Sequence, residues 1–413
     1  MITGIEIFAL REPTPSAVRA WWSTTPLDLL YEHGVPRLDR RQPGAEAGSP
    51  ITNVIVGVHA EDGTFGLGTV GVGSPVAISV IAHHLAGLVI GTDVFETERT
   101  WQTMYRNTLA LGRKGIALEA ISAIDIAIWD IKAKLIGQPL YNMLGGKVRQ
   151  RTRAYASQLY ARHDMETLHD EAVALKRDGY TAMKMRFGFG PSDGRAGMRA
   201  NRELVRTVRA AIGDDIDLAA EAYMGWDTSY AIAMINMVSE SGLAWVEEPV
   251  LPDQFLSYAE IRRKVDTPIS AGEHEFTLAG FHEMLRAGAV DILQPDVNRM
   301  GGISEARKVW ALAEAYNIPV VPHSNQAHNA HLIVSSFAST LIEVFPEHGV
   351  EAGYSMYHDF FSGEPRATDG YVELGADAGL GLSLVPAVVS QHLVERQRFG
   401  TVAVDLMDQG RTK

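Results

Sequence analysis

A chain of 413 residues, 46% of them hydrophobic, can bury a large core and exceeds the roughly 250 residues of one barrel, so a barrel plus a smaller domain is expected. A net charge of −13, from 37 basic and 50 acidic residues, argues against nucleic acid or an anionic membrane as partner. The absence of cysteine excludes disulfides, thiolate metal sites and a cysteine nucleophile, and no apolar run reaches the roughly 18 residues of a membrane span.

Met1-Ile-Thr-Gly-Ile-Glu6 has no basic or long apolar leader character, which with the missing cysteines fits a protein of the reducing cytoplasm. Ile2 to Leu10 alternates, and Val54 to Ala60, Glu61-Asp-Gly63 and Phe65 to Val70 read as strand, turn and return strand of a small antiparallel sheet. Between them, Arg11 to Pro50 is polar and rich in Arg and Pro, with Trp21, Trp22, Tyr31 and His33 spread through it. A stretch of that length without regular pattern is a functional or a disordered loop. Helical patterns follow at Val76–Ile90, Val94–Asn107 and Gly115–Ile136. The run Ala120 to Lys132 is apolar on nearly every face, the mark of a helix buried between two bodies, and Leu144-Gly-Gly-Lys147 reads as a hinge.

Eight strands are predicted next, at Arg153–Gln158, Ala182–Phe187, Ile216–Ala222, Leu243–Glu247, Pro268–Glu273, Val290–Asp296, Ile318–His323 and Thr340–Phe345, with amphipathic helices between them. That alternation predicts a parallel α/β barrel, whose chemistry sits where the strands end. The Gly-rich Gly370–Ser383 stretch and a helix over Pro386–Arg396 fit no further barrel unit and are expected to return to the first domain.

Five of these apolar runs end in Glu221, Glu247, Glu273, Asp296 and His323, at spacings of 26, 26, 23 and 27 residues. The three glutamates, from consecutive strands, would converge as hard oxygen ligands for Mg²⁺ or Mn²⁺. Each alone could be a strand-end acid paired with a neighbouring cation; three at regular spacing favour the metal. Glu248 should point to the other side of its strand. Asp296 and His323 end neighbouring strands, so the carboxylate can hold Nδ1 of the imidazole and leave Nε2 as general base or acid. Lys184 and Arg186 share one face, and either can bind a substrate carboxylate or pair with the metal acids. Glu343 is a substrate contact or a structural ion pair, and His274 touches substrate or supports Glu273. His328 and His331 are expected to pack or cap. Gly188–Gly194 lacks the Lys-Ser/Thr ending of a phosphate loop.

Taken together, Ala123-Ile-Asp-Ile-Ala-Ile-Trp-Asp130, Leu144-Gly-Gly146, Glu247-Glu-Pro249, Gly272-Glu273, Gln294-Pro-Asp296 and Pro322-His323 resemble the mandelate racemase branch of the enolase superfamily over nearly the whole chain. Ser270-Ala-Gly-Glu-His274, Gln294-Pro-Asp-Val297 with Gly301-Gly302, and Val320-Val-Pro-His323 are most similar to its acid-sugar dehydratases, of the L-rhamnonate type. The resemblance implies a modified (β/α)7β barrel covered by an α+β capping domain. Residues 1–145 would form the cap, 146–368 the barrel, and 369–413 a segment returning to the cap.

The resemblance also implies that Glu221, Glu247 and Glu273 hold Mg²⁺, that Asp296 and His323 form the catalytic pair, and that Lys184 meets the substrate carboxylate. Glu343 matches the family's eighth-strand acid. A sugar acid would pass through an enediolate to a 2-keto-3-deoxy acid, with Arg186, Glu343, His274, Trp22 and His33 as candidate substrate contacts in a homo-oligomer of two to eight subunits. Two positions depart from the family pattern. The first metal ligand is usually Asp and here is Glu221, one methylene longer. A second Lys, common in family racemases, is here Arg186, which favours chemistry on one face of the α-carbon. A racemase or epimerase of 2-hydroxy acids and a binding barrel without activity are the competing expectations, and a metal-dependent hydrolase lacks its His-x-His pair at Tyr155-Ala-Ser157.

Overall fold

The structure is a computed structural model, described here for residues 1–11, 53–71, 75–162, 164–346 and 359–407. Trp22 and His33, with nearly all of the Arg11–Pro50 loop, lie outside the described residues. Strands β1 (Ile2–Leu10), β2 (Asn53–Ala60) and β3 (Phe65–Thr69) form an antiparallel sheet, completed on the far side of β1 by Leu393–Gly400. The predicted helix over Pro386–Arg396 is therefore a helix only at Pro386–His392; the next residues, Leu-Val-Glu-Arg-Gln-Arg-Phe, are extended and pair with β1 from Leu10↔Leu393 to Gly4↔Gly400.

The helix Ile116–Leu135 lies under this sheet and against the barrel, and 16 of its 20 residues are buried. It approaches β3 so closely that a Cβ at Gly66 or Gly68 would collide with the backbone of Ala127 or Ala123, which is why glycine stands at both positions. Its two aspartates carry the joints between the parts. Asp125 accepts hydrogen bonds from Ser304 N (2.8 Å) and Ser304 Oγ (2.6 Å) of the barrel. Asp130 accepts from Leu67 N of β3 (3.0 Å) and from Leu380 N of the C-terminal segment (2.7 Å).

The barrel strands are β4 (Arg151–Ser157), β5 (Ala182–Arg186), β6 (Asp217–Glu221), β7 (Leu243–Glu247), β8 (Ile269–Ala271), β9 (Ile292–Leu293) and β10 (Leu341–Val344), parallel and in sequence order, with β10 closing on β4. The predicted strand over Ile318–His323 is reduced to one bridge, Leu293↔Val320, because Pro319 and Pro322 flank it and donate no N–H. Val320 N still reaches Ala338 O at 2.9 Å, which completes the ring of eight. Inside, Tyr155 stands edge-on to Trp245 at 5.5 Å and forms an apolar floor with Ala219 and Val321. Tyr371–Glu373 pairs antiparallel with Arg151–Arg153 at the start of β4 before the chain turns back to the cap. Among the described residues no helix is long and apolar enough to cross a membrane.

His331 sits where barrel, cap and C-terminal segment meet, 2% exposed. Its Nδ1 accepts from Tyr141 N (3.0 Å) and its Nε2 donates to Leu380 O (3.3 Å), a pattern that only the neutral ring satisfies. Burial, aided by the nearby Lys147, pushes it down to about 4 against the partial offset of the Leu380 hydrogen bond. A folded value below the unfolded one, near 6.5, means that stability is whole above pH 6.5 and drains as pH falls toward 4, by on the order of 3 kcal/mol. The variant His331→Gln should show a visibly flatter loss between those limits in urea midpoints measured against pH. Parallel curves for the two proteins would remove His331 as the cause.

Candidate active site

Parallel pairing in register sets the geometry of the site. Arg186, Glu221 and Glu247 are neighbours across β5, β6 and β7, so the last inward-facing residue of each strand arrives at one mouth. Glu273 joins them from the turn after β8. The ligand atoms of Glu221, Glu247 and Glu273 lie within 4.8 Å of one another, and all three residues are buried, at 4%, 1% and 4% exposure. Three hard oxygen donors gathered this closely are the donor set that a divalent cation such as magnesium takes.

Lys184 is the countercharge among the acids. Its Nζ lies 2.5 Å from Glu247 Oε1, 3.2 Å from Glu221 Oε2 and 3.1 Å from Glu343 Oε1, at 1% exposure. Burial opposes its charge, but the three carboxylates outweigh burial and hold it well above the ordinary lysine value. Glu247 is pushed up to about 7 by burial and by Glu221, Glu343 and Glu273, against the pull of Lys184. Trp245 Nε1 (3.1 Å) and Gln294 Nε2 (2.8 Å) donate to its other oxygen. Arg186 brings Nε to 3.0 Å from Glu221 Oε2, donates Nη2 to Ser157 Oγ at 3.0 Å and lies over the Tyr160 ring.

On the other wall His323 Nδ1 is 2.8 Å from Asp296 Oδ2, and its Nε2 is 3.6 Å from Glu273 Oε2. Asp296 Oδ1 accepts from Asn298 N (2.8 Å), so the carboxylate is fixed at both oxygens. Burial works against charge on His323, but Glu273, the Asp296 hydrogen bond and Glu343 raise it to about 9. Glu343 accepts Ser324 N at 2.6 Å through its second oxygen, and so braces the turn that carries His323 as well as pairing Lys184.

Two placements differ from the sequence expectation. Glu248 turns toward the mouth, because a φ of +42° breaks the strand alternation at that residue. There it holds His274, whose Nδ1 lies 2.9 and 3.0 Å from the two Glu248 oxygens and 3.6 Å from Glu273 Oε1. His274 thus forms a second imidazole–carboxylate pair, raised by Glu248 and Glu273 against burial. Arg299 was not anticipated at all. Its Nη1 is 3.4 Å from Glu273 Oε1 and its Nε 3.2 Å from Asp296 Oδ2, a position signalled in the sequence only by its three-residue spacing from Asp296.

A TIM-like barrel covered by an N-terminal capping domain is the architecture of the enolase superfamily, and here its mouth brings together a carboxylate triad and an imidazole–aspartate pair. Residues 45–145 match the mandelate racemase / muconate lactonizing enzyme N-terminal domain, and residues 167–388 match the enolase C-terminal domain-like family. The chain belongs to the mandelate racemase and muconate lactonizing enzyme family of the enolase superfamily. It is 36% identical to the L-rhamnonate dehydratase of Saccharopolyspora erythraea over 341 residues, 82% of this chain and 84% of that one. It is 35% identical to a putative L-rhamnonate dehydratase of Caldivirga maquilingensis over 365 residues, 87% of this chain and 86% of the other. The crystal structure of rhamnonate dehydratase from Gibberella zeae complexed with Mg superposes with a TM-score of 0.82 at 29% identity, over 95% of this chain and 96% of that one.

Proposed function

We propose that this hydro-lyase removes water from a sugar acid of the aldonate class, L-rhamnonate or a relative, to give a 2-keto-3-deoxy acid. One observation carries the reading: His323, fixed by Asp296 at 2.8 Å, points Nε2 at the carboxylate triad from 3.6 Å. With the Glu273 charge offset by a bound cation, this ring would be a proton acceptor beside the place where a substrate carboxylate would be bound.

Glu221, Glu247 and Glu273 would hold Mg²⁺, with Mn²⁺ an acceptable substitute for the same hard oxygens. Glu221, despite its extra methylene, stays within the triad's span. Bound there, the cation supplies charge to the substrate carboxylate, lowers the pKa of the α-proton and offsets the Glu273 charge beside His323. Lys184, beside Glu221 and Glu247, would add positive charge to the same carboxylate. Nε2 of His323 takes the proton from C2, and the imidazolium returns it to the departing 3-hydroxyl, which leaves as water. The resulting enol tautomerises to the keto acid.

The opposite wall supports elimination over racemisation. Racemisation needs a base there, and Arg186 is permanently protonated and engaged with Glu221 and Ser157. A library of acid sugars incubated with the protein and Mg²⁺ should give a 2-keto acid, detected with a carbonyl reagent, from one narrow stereochemical set and none after chelation. Exchange of the α-proton with deuterated solvent and no keto acid from any sugar would replace this reading with a racemase.

A further inference from the structure

We propose that Arg299 is a positioning residue for this reaction: it locks Asp296, and through it His323, to the third carboxylate of the metal group, in a turn that the capping domain holds. This rests on the functional reading above and names a residue that reading does not use.

The guanidinium spans the two halves of the site. Nη1 donates to the Glu273 backbone oxygen (3.2 Å) and Oε1 (3.4 Å), while Nε forms an ion pair, without a hydrogen bond, 3.2 Å from Asp296 Oδ2, the oxygen that also holds His323 Nδ1. The planar fork spreads its donors across the gap between Glu273 and Asp296, whereas a lysine ammonium would concentrate the same charge at one point. The turn carrying Arg299 is in turn fastened to the cap. Thr69 Oγ1 donates to Asn298 Oδ1 (2.9 Å), Trp101 Nε1 donates to Gly301 O (2.7 Å), and Gly301 N donates to Ser122 Oγ (2.8 Å). Gly71 of the cap lies so near that a Cβ there would sit 2.7 Å from Arg299 Cγ.

Glu119, in the first turn of the Ile116–Leu135 helix, adds a cap carboxylate to the charges acting on Arg299. It is 6% exposed and one of its oxygens has no hydrogen-bond partner. Cap and barrel thus converge on one cation, and the orientation of the proton-transfer pair depends on their engagement.

The test compares Arg299→Met and Arg299→Lys with the wild type. Arg299→Met should lower kcat for dehydration by about 10–100-fold, the usual effect of losing a group that orients a ligand or base, with KM for the sugar acid changed less than about threefold. Mg²⁺ affinity, read by calorimetry without substrate, should be unchanged or tighter, because a cation beside Glu273 has been removed. Arg299→Lys should keep the wild-type Mg²⁺ affinity without restoring kcat. The downfield His323 Nδ1 proton resonance, assigned by its loss in His323→Asn, should broaden or shift in both variants. A kcat within threefold of wild type in Arg299→Met, an unmoved resonance, or Mg²⁺ affinity and melting temperature falling together with kcat would overturn the proposal. Should no sugar acid be dehydrated by the wild type, the functional reading fails, and the resonance and the calorimetry still decide the role of Arg299.

Discussion

Replacing His323 with Asn should lower kcat for dehydration by about 10³–10⁴-fold while the melting temperature and Mg²⁺ affinity stay near wild type. General acid–base groups contribute about 10²–10⁴-fold each, and in the proposed reaction one ring would perform both the proton removal and the protonation of the leaving hydroxyl. Asn keeps an N–H that can reach Asp296 Oδ2, the partner now held at 2.8 Å, and so preserves the local packing. It has no second nitrogen to accept a proton at the position of Nε2, 3.6 Å from Glu273. Keto-acid release and α-proton exchange must fall together, since both need the same abstraction. A variant retaining a tenth of wild-type kcat would move the base elsewhere, and His274, already held by Glu248, would be the first residue to examine.

The barrel and the core of the site were legible in the sequence because both depend on local order. An apolar run ending in an acid marks a strand and the end that reaches the barrel mouth together, and parallel pairing turns equal spacing into spatial adjacency, as Glu221↔Glu247 shows. What was hidden depended on backbone exceptions or on contacts distant in the chain. The positive φ of Glu248 reverses the direction that strand alternation assigns to its side chain. The two prolines around Val320 leave a strand-like sequence with a single bridge. Arg299 acquires its role from Glu273, 26 residues earlier, and from cap residues as far away as Thr69, 229 residues from its neighbour Asn298. No periodicity encodes such pairs; only the docking of cap on barrel does.

Replacing Lys184 with Met, which keeps the volume and removes the charge, should destabilise the metal-free protein by about 3–5 kcal/mol, the range seen when one partner of a buried ion pair is removed. Glu221, Glu247 and Glu343 each lie within 3.2 Å of the ammonium, and none is more than 4% exposed. Without it their charges face one another in a medium that screens them poorly. Glu247, which burial and its acidic neighbours already push up to about 7, would absorb part of the strain by taking up a proton. A carboxyl with a raised folded value loses stability as pH rises through that value, so the deficit should be larger at pH 8 than at pH 6. Mg²⁺ should act in the opposite direction. A ligand at 100 times its dissociation constant stabilises by about 2.7 kcal/mol, and in the variant it meets carboxylates with one competing cation fewer, so its stabilising shift should exceed that in the wild type. Denaturation midpoints with and without Mg²⁺, measured for both proteins, read the difference directly. Equal Mg²⁺-induced shifts would show that the lysine and the divalent cation do not share these carboxylates, and the assignment of the triad as the metal group would fall with them.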